Sequence, residues 1–582
     1  MKQFLKFTLA TIVGIILTSV LGMFIMFGIL GALTASQDKT VVLKPKSVYV
    51  LELNGQLVER SEDDPYSAAI ADAFGQDMPS LIGLDDVLSN IKKAKNDSSI
   101  VGIYLKGGTL SAGKASMKEI RSALEDFKKS GKFIVAYADT YEQSNYYLAT
   151  VANKVFLNPS GMLELRGLSA EILFLKNTFD KLGIDMQVVK VGTFKSAVEP
   201  YINTKMSDAN KLQVNAFLTS MWKTMTGSIA SSRKLSEDQV NRMADEMMLL
   251  QPAKKLVEYA LIDSLVYIDE MDSIITKMAG GKYETVKHNS MCHVDDTEDY
   301  SKDKVAVIYA YGGIDDGESD GIVSKKLVET IDKAAKDDMV KSVVLRVSSP
   351  GGSAYGSEQI WRALTNLKKK KPLIVSMGDY AASGGYYISC MADTIVAQPN
   401  TLTGSIGIFG IIPNLEGLNK KLGFTFDGVK TNKMSDAISM NRPFNPEERE
   451  MMQLYINSGY ELFVKRCADG RGMSTDGIKA IAEGRVWTGV DAKQIGLVDV
   501  LGGLSDAVAI AAKKAGLETY QIRELPEKED FSTKLMKALN EDVETKFLKT
   551  RFGEHYQIIK HVKKFENLNG IQARMPYELL IR

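Results

Sequence analysis

Cysteine and histidine are scarce in this chain, and that scarcity narrows the chemistry available to it. Three cysteines, Cys292, Cys390 and Cys467, stand far apart among 582 residues, with no CxxC pair and no mixed His/Cys ligand spacing. A disulfide framework and a zinc site are therefore not expected. The four histidines, His288, His293, His555 and His561, fall in two polar stretches rather than in apolar elements, which argues against a Ser-His-Asp triad. Net charge is lacking too, since 72 Lys+Arg balance 72 Asp+Glu. That balance points neither to nucleic acid nor to an acidic partner.

Long hydrophobic runs are absent except at the N-terminus. Phe7 to Leu33 carries no charged residue and follows Lys2 and Lys6. The run is about twice the apolar core of a cleavable signal, roughly 7–15 residues, and "GALTASQDK" offers a poor cleavage site. About 20 apolar residues span a bilayer, so a transmembrane anchor over residues 1–40 is expected. Lys2 and Lys6 favour a cytoplasmic N-terminus and a translocated body, whereas Lys39, Lys44 and Lys46 on the far side pull the other way.

The remaining chain is long enough for two or more domains, and a search for internal repeats orders it. "ALEDFKK" at Ala123 returns as "ALTNLKK" at Ala363, 240 positions on. The same offset pairs Asp139 with Asp379, Tyr146-Tyr147 with Tyr386-Tyr387, Pro159 with Pro399, and "KLG" at 181 with "KLG" at 421. Each half alternates short apolar strands with amphipathic helices, which predicts α/β units on a mostly parallel sheet. The expected divisions are a first half over 41–285, a polar linker over 286–304, a second half over 305–525, and a charged, helix-patterned tail over 526–582 read as a solvated helix on the body.

The halves differ where chemistry is possible. "AASGGYY" presents Ser383 after an apolar strand, and its counterpart in the first half is Gln143. In "SSPGGS", Gly351 and Gly352 correspond to Ser111 and Ala112, and Ser405 of "TGSIGIFG" corresponds to Leu165. Glycines after a strand can aim backbone amides into a cavity, and a serine at a helix N-terminus lies near partial positive charge. They also suit a turn made for packing alone. Without histidine, a serine can be activated by a lysine whose pKa burial has lowered. Lys195 in "VVKVGTFKSAVEPY" sits among apolar and small residues, and its counterpart is Ser435. On residues alone it reads equally as a surface lysine or as a base.

"GTFKSAVEPY", "SSPGGS", "DYAASGGYY", "TGSIGIFG" and "GRVWTGVDAKQIGLVD", in that order over roughly 45–515, resemble the bacterial signal peptide peptidase A family, also called protease IV or peptidase family S49, in its long duplicated form. The resemblance implies tandem ClpP/crotonase-like domains built from repeated ββα units, preceded by one transmembrane helix. It implies Ser383 as nucleophile, Lys195 as general base, Ser405 orienting the lysine, and an oxyanion hole at Gly351, Gly352 and Gly384. It further implies peptide substrates, chiefly remnants of cleaved signal peptides, no cofactor, and a homo-oligomer, a tetramer in that family. The body would stand on the periplasmic side of the bacterial inner membrane. Rival readings are a crotonase-like acyl-CoA enzyme and a non-catalytic membrane scaffold, because fold alone does not fix function.

Overall fold

The computed structural model describes residues 3, 6–8, 10–22, 40–61, 81–295, 301–315, 317, 321–528, 570–575 and 580–581. Its architecture is α/β. The first half holds a six-stranded parallel sheet in the order Ser264–Leu265, Lys154–Leu163, Phe133–Tyr141, Ile100–Lys106, Ser47–Glu52, Glu284–Lys287. The second half repeats the plan. Gln521–Leu525 pairs with Lys304–Tyr311, then come Val340–Ser349 and Leu373–Ala382, all parallel. Beyond them Leu373–Ala382 pairs with both Thr394–Ala397 and Leu402–Gly404. Helices cover both faces of such sheets, so their strands read as near-continuous apolar runs. Val340–Ser349 is buried except at Lys341 and, in part, Ser348.

The halves dock through buried charge. Arg346, in the middle of that strand, reaches Glu59 at 2.8 Å and Glu119 at 2.9 Å, both from the first half. Glu119 also accepts from the Leu504 N–H that opens the helix Leu504–Lys514. In return Asp379 of the second half accepts from the N–H groups of Ala115 and Ser116 at the start of the helix Lys114–Lys128. Carboxylates at helix N-termini satisfy free N–H groups and favour the macrodipole.

A third sheet joins the halves. Its order is Ile322–Val323, Ile314–Asp315, Gly351–Ser353, Gly570–Arg574, Phe409–Asn414, Asp185–Lys190. Asp185–Lys190 belongs to the first half and runs antiparallel to Phe409–Asn414 of the second.

Three expectations are corrected. Residues 286–294, read as linker, belong to the first half's body. Glu284–Lys287 is its edge strand, and His288–Cys292 is a short helix with Met291 buried. Burying Val286, Met291 and Val294 in the first core explains the order that a polar composition hid. Of the tail, 529–569 lie outside the described residues, but Gly570–Arg574 is a paired strand rather than a solvated helix. The stretch "GGYYISCMAD" after Ser383 reads from its residues as one helix, but the helix spans only Gly384–Tyr387. Residues 10–22 of the expected anchor are helical and exposed, and 23–33 lie outside the described residues. Among the described residues no helix is long and apolar enough to cross a membrane.

Candidate active site

Each half contributes one side of the site. Leu373–Ala382 ends at Ser383, whose N–H donates to the Gly404 carbonyl at 2.8 Å. Ser383 has φ 56° and ψ −113°. A non-glycine residue rarely adopts positive φ, and such strain gathers at functional positions. Ser405 is also at positive φ, 50°, and its N–H donates to the Arg485 carbonyl at 2.7 Å.

Lys195 arrives from the first half, five residues beyond the strand Asp185–Lys190. Because that strand pairs with Phe409–Asn414, the following loop is carried to Ser405 and Ser383. The loop is clamped on both sides. The Phe194 N–H donates to the Glu483 carbonyl at 2.9 Å, while Gln213 Nε2 donates to the Phe194 carbonyl at 3.1 Å and to Ser196 Oγ at 2.7 Å. Gln213 Oε1 accepts from the Val486 N–H at 3.3 Å, tying the clamp to the second half. Gly484, at φ +78°, lies so close that a Cβ would stand 2.7 Å from the Lys195 backbone. A side chain there would be strained and would push the lysine away.

Three oxygen atoms surround the lysine nitrogen. Lys195 Nζ is 2.8 Å from Ser383 Oγ, 3.1 Å from the Ser405 carbonyl and 3.2 Å from Ser405 Oγ. Lys195, Ser383 and Ser405 are all fully buried. Burial pushes the lysine pKa well below its ordinary value near 10.5, because a low-dielectric surround penalises the ammonium form. A neutral amine has two N–H donors and one lone pair. It can donate both to Ser405 and keep its lone pair for the Ser383 hydroxyl.

The three glycines also gather here. Gly351, at φ +94°, leaves so little room that a Cβ would run into the Ala573 carbonyl oxygen and stand 2.7 Å from Gly384 N. Gly352 follows it in the strand Gly351–Ser353, and Gly384 opens the short helix after Ser383. The two described histidines stand elsewhere. His288 hydrogen-bonds Tyr49 in the first half and His293 faces the Asn289 carbonyl, while His555 and His561 lie outside the described residues. Among the described residues no group of three or more His, Cys, Asp or Glu could hold a metal ion.

Sequence reasoning did not single out Gln213 or Gly484. Gly484 opens "GRVWTGVDAKQIGLVD", one of the stretches that carry the family resemblance, but nothing in it reveals that the glycine abuts Lys195. Gln213 is one polar residue on a 26-residue helix, Asp208–Arg233, and nothing local marks it as the clamp. The strand Gly570–Arg574 was missed as well.

A family model described as peptidase family S49 matches residues 126–282 and again 365–518, one match in each half. Protease 4 of Salmonella typhi is 37% identical over 493 residues, covering 82% of this chain and 80% of that protein. The chloroplastic serine protease SPPA of Arabidopsis thaliana is 33% identical over 467 residues, covering 77% and 68%. Among solved structures, a ClpP1 point mutant from Listeria monocytogenes aligns over 35% of this chain and 94% of its own, with TM-score 0.23 and 15% identity.

Proposed function

Since the chain belongs to peptidase family S49, a serine protease family, in the long form that carries the unit twice, we propose that its peptidase activity runs on a dyad of Ser383 and Lys195. The observation that carries this reading is the 2.8 Å approach of a fully buried lysine nitrogen to the serine oxygen. Neutral Lys195 takes the proton of Ser383 as its oxygen attacks the scissile carbonyl, then gives it to the leaving amine. Water, deprotonated by the same amine, releases the acyl group. Ser405 holds the amine toward Ser383. Backbone amides at Gly351, Gly352 and Gly384 receive the developing oxyanion, where one such donor typically contributes about 100- to 1,000-fold in rate.

The division at 41–285 and 305–525 then separates a half that supplies the base from one that supplies the nucleophile, each a ClpP/crotonase-like unit. The apolar run at Phe7–Leu33 anchors the body at the periplasmic face of the inner membrane. There it meets apolar peptides such as signal-peptide remnants, and it works as a homo-oligomer. Retention in membranes through alkaline extraction, lost when residues 1–40 are removed, checks the anchor. Sedimentation of the detergent-free body checks the oligomer.

The dyad is tested by Ser383→Ala and Lys195→Met. Removing the nucleophile of a serine protease costs on the order of 10⁶-fold in kcat, and both variants should lose fluorophosphonate labelling at Ser383. Only the neutral amine is a base, so wild-type activity should climb as pH rises through the depressed lysine pKa and fall away on the acid side. Full activity in either variant would sink the assignment, as would an activity step abolished by changing His288 or His293.

A further inference from the structure

Cysteine is scarce in this chain, yet two of the three meet. Cys390 and Cys467 stand 77 positions apart in sequence, and both are fully buried in the core of the second half. Cys390 follows the short helix Gly384–Tyr387 that opens at Ser383, and Cys467 lies near the end of the helix Pro446–Arg471. Cys390 Sγ is 3.2 Å from the Tyr387 carbonyl oxygen and 3.6 Å from that of Arg466, the residue before Cys467. The Cys467 thiol is hydrogen-bonded with the Cys390 thiol. Cys292, the third cysteine, lies in the first half beside Asn90.

The backbones come as near to one another as the sulfurs do. Gly470 is three residues beyond Cys467, on the same face of the helix. A Cβ there would run into the Cys390 carbonyl oxygen and stand 2.8 Å from Met391 Cα. Only a glycine lets the helix lie this close to the turn. The rings of Tyr387 and Phe463 make a second contact between the same two segments, with centroids 4.5 Å apart. Cysteines that can be bridged without backbone movement have Cα atoms roughly 4.4–6.8 Å apart, and two elements packed backbone to backbone meet that demand. Burial meanwhile pushes the Cys467 thiol well above its ordinary pKa. The reactive species is the thiolate, so it is scarce once the helix has closed on the turn.

We propose that Cys390 and Cys467 are a modification site, joined as a disulfide while the chain folds by a disulfide-bearing oxidant. The proposal does not depend on the Ser383–Lys195 reading. Before the helix Pro446–Arg471 docks, the thiolate of one cysteine attacks a sulfur of the oxidant, forming a mixed disulfide and releasing one thiol. The thiolate of the other cysteine then attacks the first cysteine's sulfur, and the oxidant leaves as its second thiol. Two electrons and two protons have passed from the cysteine pair to the oxidant. Three cysteines cannot make a framework, but a single staple needs only this pair. The loop it closes holds Ser405 and the strand Phe409–Asn414, which pairs with the strand that leads to Lys195. The staple thus fixes the turn behind Ser383 to the long helix. Disulfides persist in oxidising compartments, which is where the anchor proposed above places the body.

The test isolates the full-length protein without reductant, with iodoacetamide present at lysis and again during unfolding in urea, and maps its peptides by mass. The peptides carrying Cys390 and Cys467 should appear as one linked species that separates on reduction, while Cys292 is alkylated. Dithiothreitol should lower the urea midpoint of wild type by about 1 M and leave the midpoints of Cys390→Ala and Cys467→Ala unmoved. Refolding from urea with oxidised glutathione should restore the link, whereas the same reagent added after refolding under reductant should form it at least tenfold more slowly. Alkylation of both Cys390 and Cys467 in the protein as isolated overturns the proposal, as does a link made through Cys292. A reductant shift of equal size in wild type and in the two alanine variants overturns it too, and equally fast linkage in the folded chain overturns its timing. Activity and fluorophosphonate labelling at Ser383 play no part in these readouts, so failure here leaves the dyad standing and failure of the dyad leaves the staple standing.

Discussion

Where the second half presents Ser383, the first half has Gln143, and its side chain fills its surroundings with hydrogen bonds of its own. Its Nε2 donates to the Gly167 carbonyl at 3.0 Å, and its Oε1 accepts from the N–H groups of Arg166 and Gly167 at 3.0 and 3.1 Å. A serine–lysine approach exists in the first half too, with Lys114 Nζ 3.5 Å from Ser144 Oγ. There, however, Asp379 and Glu164 act against the lowering of the lysine pKa by burial. At Lys195 burial alone acts. The same contrast runs through the sheets. Arg346 is 1% exposed between two carboxylates, whereas its counterpart Lys106 is 42% exposed and pairs with Glu52 at the surface. One copy of the fold kept a strained serine and a buried cation at the docking face. The other became the partner that supplies the lysine and the carboxylates.

The most severe test of this contrast puts a serine back into the first half. Gln143→Ser in a Ser383→Ala background should remain about 10⁶-fold below wild type in kcat, with no fluorophosphonate label, because position 143 has neither a lysine lone pair nor the paired glycines. A labelled, active double variant would break the comparison. Next in size is the docking charge. Arg346→Met leaves Glu59 and Glu119 buried without their cation, which typically costs about 3–5 kcal/mol. Lys106→Met, its surface counterpart, should stay within about 1 kcal/mol. Urea melts of the two variants measure the difference, and equal losses would mean that the buried cation is not what joins the halves.

Much of this was legible in the sequence because duplication prints the same signal twice. The 240-residue offset exposed the two sheets, and the asymmetry at 143/383 and 195/435 marked Ser383 and Lys195 as candidates, although on residues alone Lys195 read equally as a surface lysine and only the family resemblance gave it a role. What stayed hidden depends on contacts distant in sequence. Arg346 looks like one more charge in an apolar strand until Glu119, 227 positions away, is placed beside it. Met291 belongs to a stretch too polar to announce an element, and only the packed core shows that it is buried. The strand Gly570–Arg574 is five residues without strong β-formers apart from Ile571. It is ordered by the two edges it lies between, not by its own propensity.

Gln143→Ala is the finest of these tests, because it should change stability without touching activity. Removing the side chain strands one carbonyl and two N–H groups, and a fully buried orphan costs roughly 1–3 kcal/mol. The environment selects the lower end. Gln143 is buried, but Arg166 is exposed and Gly167 only half-buried, so water can reach the groups left behind. A loss of about 1 kcal/mol is expected, read as an unchanged urea m-value with a lower midpoint. Hydrolysis of a fluorogenic peptide and labelling at Ser383 should be unaltered, since the hydrogen bonds of Gln143 go to Glu164, Arg166 and Gly167 of its own half. If activity fell along with stability, the first half's filled pocket would be coupled to the dyad. The two copies would then be one cooperative site rather than a site and its scaffold.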